Sequence, residues 1–428
     1  MLKVNRQISQ ISLSWNTELL FALAERHEGV CLFTSVADKD QGKNILGINP
    51  VLNLKSAEEI DIFIRENKNE SDFPAILGYV SYDYKHNLEE NGLFSNLSDS
   101  DFPDFLFTVF EHYIIAENSD RNNITLITLS FPLEHDKLST ENLFNLIPPD
   151  TKEGLTEVLD SSLSKKDFMT GVDKIRNYIL QGDLYQANLT RKISGKTQLS
   201  PVDTAYRLKN SNPIEFGVFA KIDGKYIIST SPERFFKIRK GYLTASPIKG
   251  TIQRSDDPDR DKKNLESLMN SKKDIAELAM IVDLLRNDMN KICSNVKVEG
   301  FPLLMELKNV YHLYSDISGK LKKKGFKDII KALFPGGSIT GCPKIRACQI
   351  IEELEKEGRG PYTGNFGYIG FNGDMDFNIM IRTLLYDNGN ISVGTGGGIT
   401  LLSDPEEEYY ETVVKAMNIM RSLGMEGE

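Results

Sequence analysis

The sequence predicts an α+β fold built on large antiparallel sheets. Three observations point to it. Short β-like runs such as AILGYVSY and NITLITL recur along the first ~140 residues. Later, strand-like groups alternate with single helices instead of forming regular strand-helix-strand units. Hydrophobic content is 40% and charged content 26%, which suits a soluble globular chain. At about 150 residues per domain, 428 residues allow two or three domains. Ser139 to Ser164, with Pro148-Pro149 and Gly154, is the expected boundary between regions 1–150 and 160–428.

The elements follow in order. Ser164-x-x-Asp167 resembles a helix N-cap, and Phe168, Val172, Ile175 and Ile179 continue at helical spacing until Gly182. LYQANLTRKI, FGVFAKI, KYIISTS, RFFKI and YLTASPI read as strands, with a hairpin turn at 239–241. One long helix is expected from Asp259 to Asn290, and another from Pro343 to Gly358. GNFGYIGF, NIMIRTLLY and ISVGTG return to strand. Asp404-Pro405 starts a last helix that Gly424 stops. The basic run 320–327 reads as a solvated turn.

Composition excludes several classes. With 51 basic and 61 acidic residues the net charge is −10, which disfavours nucleic acid and anionic membranes. No apolar run approaches membrane-spanning length, and MLKVNRQISQISLSW has no signal-peptide core. Cys31, Cys293, Cys342 and Cys348 form no CxxC pair, so a reducing, cytoplasmic setting is expected. His312 is the sole histidine after residue 135, which leaves little for a zinc hydrolase or a serine triad.

Several residues could carry chemistry. Glu408, Glu411 and Lys415 share one face of the last helix, either as a surface ion pair or as groups facing a ligand. Asp274 and Glu277 border an apolar run. Carboxylates from two helices would suit a hard cation such as Mg²⁺. GTGGGIT and FPGGSITGCPK are tight turns or anion-binding loops, and Cys342 in place of lysine rules out a P-loop. Lys249 in SPIKGT is a solvated lysine or, if buried, a nucleophile. Glu233 in TSPERF lies at a strand break. Arg382 in IMIRTLL interrupts an apolar strand, where its charge must be paired by an anionic ligand or by an internal ion pair.

Taken together, GDLYQANLTR, TSPERF, SPIKGT, KDIAELAMIVDLLRND, FPGGSITGCPKIRACQIIEELE, YTGNFGYIGFNGDMDFNIMIRTL, GTGGGI and SDPEEEYYETVVKA resemble the chorismate-utilising enzymes. That family includes anthranilate, aminodeoxychorismate, isochorismate and salicylate synthases. The resemblance implies a sandwich of antiparallel sheets with helices outside. Gln186 stands where the water-adding members carry a lysine base. Lys249 stands where anthranilate synthases have alanine, and lysine there is a hallmark of the aminodeoxychorismate branch. The resemblance further implies Mg²⁺ held by Glu277 and Glu411, with Asp274 and Glu408 beside them. Glu233 would be the general acid and Lys249 the covalent nucleophile. Arg382, Tyr362, Lys415 and the backbone of Gly396, Gly397 and Gly398 would hold substrate carboxylates, with Gln186, Thr251 and His312 lining the pocket. No cysteine lies in a glutaminase elbow, so a separate glutamine amidotransferase subunit is the implied ammonia source. The rival expectations are an anthranilate synthase component and a non-catalytic chorismate-binding subunit.

Overall fold

The computed structural model describes residues 4–425 except 13–14, 17–19, 22, 25–26, 28–30, 36–41, 90–93, 95–99, 121, 131–153, 212–214, 307–309 and 323–324. Its strands are β1 Asn5–Ser12, β2 Cys31–Ser35, β3 Lys43–Leu54, β4 Pro74–Val80, β5 Phe105–Glu117, β6 Asn123–Ser130, β7 Thr156–Ser161, β8 Gln186–Thr197, β9 Phe216–Ile222, β10 Lys225–Ser231, β11 Arg234–Arg239, β12 Tyr242–Ala245, β13 Ile248–Gln253, β14 Cys293–Glu306, β15 Val310–Leu321, β16 Gly341–Cys342, β17 Asn365–Gly370, β18 Met375–Asn378, β19 Thr383–Asp387 and β20 Asn390–Ile399. The helices are α1 Ala57–Asn67, α2 Lys165–Leu180, α3 Pro201–Ser211, α4 Pro258–Met269, α5 Lys272–Ile292, α6 Phe326–Leu333, α7 Lys344–Glu355 and α8 Pro405–Ser422. None is long and apolar enough to cross a membrane.

Every pairing among these strands is antiparallel. Two limbs meet at β5. One runs β5-β3-β2-β9-β10-β19-β20-β8-β7. The other runs β5-β4-β17-β18-β11-β12-β15-β14. Phe33 of the first limb stacks on Phe366 of the second, with ring centroids 6.0 Å apart, so the limbs face each other across a shared core. Helices α3 and α8 cover the outer face of the first limb. Helices α2 and α7 pack on β8. The boundary expected at Ser139–Ser164 falls largely on 131–153, outside the described residues; strands from both sides of it share the limbs.

Local signals explain the helix ends. The Ser164 hydroxyl accepts from the Asp167 N–H, and Phe168, Val172 and Ile175 are buried. Asp404 accepts from the N–H groups of Glu406 and Glu407, and Pro405 takes the first position of α8. Lys240 and Gly241 both have positive φ, as the tight hairpin between β11 and β12 requires. Three expectations need correction. The long helix is two, because Ser271 accepts from the Asp274 N–H and starts α5 afresh after α4 ends at Met269. Helix α7 stops at Glu355, where Lys356 turns left-handed, and does not reach Gly358. GTGGGI is not a loop: it forms the end of β20, paired residue for residue with β8. Glycine permits this close approach, since a methyl at Gly396 would stand 2.5 Å from the Leu189 carbonyl.

Candidate active site

Lys249 opens the site. It lies on β13, where the pairing with β15 shifts register between Lys249 and Thr251. Gly250 sits in that bulge at φ +76, a conformation glycine adopts freely, and the bulge re-aims the neighbouring side chains. A methyl at Gly398 would stand 2.3 Å from Gln186 Nε2 and 3.5 Å from Lys249 Nζ, so these three residues meet. Gln186 is buried at the start of β8, two residues from Asn188, the partner of Gly398.

Two carboxylates feel the Lys249 ammonium. Glu233 lies between β10 and β11, at the strand break the sequence predicts, and is 7% exposed. Burial pushes its carboxyl up to about 7; the Ser338 hydroxyl and Lys249 oppose the rise. Among the described residues Ser338 Oγ has no hydrogen-bond partner of regular geometry, and it acts on this carboxylate. Glu277 on α5 is also buried, and its pKa is raised first by desolvation. Lys249 and Lys273 pull it down, while Asp274 and Glu411 push it up.

Helix α8 brings the second pair of carboxylates. A methyl at Gly397 would lie 3.1 Å from Glu408 Oε2 and 3.8 Å from Glu411 Oε1. Glu408 is buried, accepts from Ser403 at 2.6 Å, and is raised by burial and by Glu411. Lys415 Nζ pairs with Glu411 at 2.6 Å and donates to the Gly396 carbonyl at 2.9 Å. Both partners of that ion pair are half exposed, so it is worth little as stability. Among the described residues no three His, Cys, Asp or Glu side chains close on a single point. The donor chemistry nevertheless fits a hard cation: carboxylates from two helices repel one another, and a cation between them would relieve that repulsion.

Thr251 and His312 share a 2.7 Å hydrogen bond across β13 and β15. Burial and the Arg382 charge depress the His312 pKa, so its imidazole is neutral near pH 7. Arg382 departs from the sequence reading. It occupies the bend between β18 and β19 at φ +48, not an apolar strand, and its guanidinium makes no ion pair or hydrogen bond among the described residues. The side chain opens to solvent, yet enough protein surrounds it to lower its pKa. A guanidinium with no protein anion beside it is chemically suited to receive a carboxylate. Tyr362 is buried against Gly394, on the same face of β20 as Gly396 and Gly398 and about 13 Å along the strand from Gly398. It also lines a small cleft with Arg191, Arg359 and Thr383.

Most residues singled out in the sequence therefore meet: Gln186, Glu233, Lys249, Glu277 and Gly398 at one end, and Glu408, Glu411 and Lys415 around Gly396 and Gly397. Tyr362 stands at the far end of the glycine face. Sequence reasoning missed Ser338, Arg359 and Glu355. The last two are four apart on EKEGR, a spacing that reads as a surface pair, whereas both are buried.

The family described as chorismate binding enzyme matches residues 31–421. Aminodeoxychorismate synthase component 1 of Escherichia coli (strain K12) is 33% identical over 371 residues, 84% of this chain and 80% of the relative. Anthranilate synthase component 1 of Aquifex aeolicus (strain VF5) is 39% identical over 268 residues, 61% of this chain and 54% of the relative. The crystal structure of anthranilate synthase component I from Streptococcus pneumoniae TIGR4 superposes with a TM-score of 0.76 at 28% identity, covering 89% of this chain and 92% of that one. With nearly the whole chain matched and the sheets and helices arranged alike, this protein belongs to the chorismate binding enzyme family.

Proposed function

We propose that this chain is an aminodeoxychorismate synthase component I, converting chorismate and ammonia to 4-amino-4-deoxychorismate and water on the way to folate. The observation that carries the reading is Lys249 itself. Its amine sits beside Gln186 and Gly398 and acts electrostatically on both Glu233 and Glu277. A glutamine at 186 offers no base to activate water, which disfavours hydration of the ring.

The chemistry divides into two displacements. Lys249, once its ammonium has given a proton to solvent, bonds through nitrogen to ring C2, the ring double bonds shift, and the C4–O bond breaks. Glu233, whose raised pKa keeps about half of it protonated near pH 7, delivers its proton to the departing hydroxyl, which leaves as water. The nitrogen of the adduct loses a proton. Ammonia then bonds to C4, the double bonds return, and Lys249 leaves, regaining its proton. Arg382, Lys415 and the β20 backbone hold the substrate carboxylates, and Tyr362, Thr251 and His312 line the pocket. Glu277 and Glu411, with Asp274 and Glu408 near them, would hold Mg²⁺, Lys415 yielding Glu411 as it engages substrate. Bound Mg²⁺ supplies positive charge to a substrate carboxylate. Ammonia comes from a separate glutamine amidotransferase subunit, a reading that the component 1 naming of the relatives supports. A cytoplasmic setting goes with it.

The anthranilate reaction is the second reading, favoured by the 39% identity to the Aquifex aeolicus relative. Incubation with chorismate, Mg²⁺ and ammonium at alkaline pH separates the two. Aminodeoxychorismate, identified by mass, is the expected product. Fluorescent anthranilate with pyruvate overturns the assignment, and no consumption of chorismate points to a non-catalytic binding subunit.

A further inference from the structure

The buried guanidinium of Arg359 hydrogen-bonds to none of the side chains assigned to chemistry, yet it joins the segments that carry Gln186, Ser338 and Tyr362. All its donors are engaged. Nε and Nη2 hold Glu355 at 2.8 and 2.7 Å. Nη2 also donates to the Asn188 carbonyl at 2.7 Å, and Nη1 to the Ile339 carbonyl at 2.8 Å and the Thr363 hydroxyl at 3.4 Å. Glu355 in turn accepts from the N–H and hydroxyl of Thr190. Asn188 and Thr190 lie on the strand that begins with Gln186. Ile339 follows Ser338, which faces Glu233. Thr363 follows Tyr362 at φ +62 and donates to its carbonyl at 2.6 Å. The Tyr82 ring covers the guanidinium at 4.4 Å, and Asp83 accepts from the N–H groups of Arg359 and Gly360.

We propose that Arg359 is a positioning residue, whose planar fork sets the spacing between the strand of Gln186, the turn of Ser338 and the turn of Tyr362. The physical reason is the fork. Two carbonyls, a hydroxyl and a carboxylate are fixed in one plane, which a lysine with a single nitrogen cannot reproduce. Without the anchor at Ile339, the neighbouring Ser338 hydroxyl is free to leave the Glu233 carboxylate. A misplacement of about 1 Å can cost about 10²-fold in rate.

This inference rests on the chorismate-converting reading, and the test separates the two. Chorismate consumption, whatever the product, is followed from pH 6 to 10 for the wild-type protein and for Arg359→Lys and Glu355→Gln, each shown folded at the assay temperature by its melting curve. The wild-type rate falls on the alkaline side as Glu233 loses its proton. Lys249 is the charged group acting on that carboxylate, and both variants keep it. Arg359→Lys is expected to lose at least about tenfold in kcat and to move that alkaline limb up by about half a pH unit, as the opposing Ser338 contact is lost. Glu355→Gln should do the same to a smaller degree, and it carries the test alone if Arg359→Lys does not fold. A lower rate with an unmoved limb in the folded variants marks a purely structural role and overturns the proposal. A wild-type protein that consumes no chorismate overturns the underlying reading instead.

Discussion

The side chain at 249 carries the proposed covalent route. Lys249→Ala should lose amination, and peptide mapping after incubation with chorismate should show an adduct on Lys249 of the unsubstituted protein; full activity of the variant would sink the nucleophile role. Glu233 makes a different prediction, because its carboxyl is raised from 4.5 to about 7 by burial. A raised carboxyl favours the folded state while it is protonated. That contribution is complete below pH 4.5 and is lost as pH rises through about 7. Glu233→Gln, which cannot ionise, should therefore gain stability on the wild-type protein between pH 5 and 8, by up to about 3 kcal/mol. Urea unfolding at both pH values measures it. The same variant should lose at least about 10²-fold in kcat, the usual scale for a positioned proton donor.

At the level of elements, glycines and caps aim the site. Gly398→Ala would put a methyl 2.3 Å from the buried Gln186 amide on β8 and within van der Waals contact of the Lys249 amine. It should lower chorismate turnover while leaving the melting temperature nearly unchanged, since the Gln186 side chain can shift where backbone could not. Ser271→Ala removes the cap that begins α5 and should cost about 1 kcal/mol by denaturant titration. Because Asp274 and Glu277 lie on the first turns of α5, this variant should also weaken activity. Caps at Ser164 and Asp404 and the turn at Lys240-Gly241 were legible from residue type alone. The break at Asn270-Ser271 was not read, although Ser271-x-x-Asp274 repeats the pattern of Ser164-x-x-Asp167, because the helical periodicity resumes at once and hides the cap.

Across the whole molecule, the charge of −10 and an anionic substrate are compatible because charge is sorted locally. Glu277, Glu408 and Glu411 gather on two helices that the sheet brings together, while Arg382, near His312, makes no ion pair among the described residues. Calorimetry should detect Mg²⁺ binding in the presence of chorismate, and Glu277→Gln should weaken it at least tenfold. Removal of Mg²⁺ by chelation should stop turnover without unfolding the protein. Unchanged turnover after complete chelation would contradict the metal role.

Residue chemistry, the hairpin turn and most helix ends were set by short-range patterns, since caps, turns and periodic apolar faces act within a few positions. The motifs also carried the family. The register that joins Gly398 to Asn188 and places Lys249 beside Gln186 acts over long separations, and a slip of one residue would turn every side chain to the opposite face. The anchoring by Arg359 was equally invisible: two of its partners are backbone carbonyls, one of them 171 residues away, and a carbonyl has no signature in the amino-acid code. Only the folding of both limbs around one core brings such groups within hydrogen-bond reach.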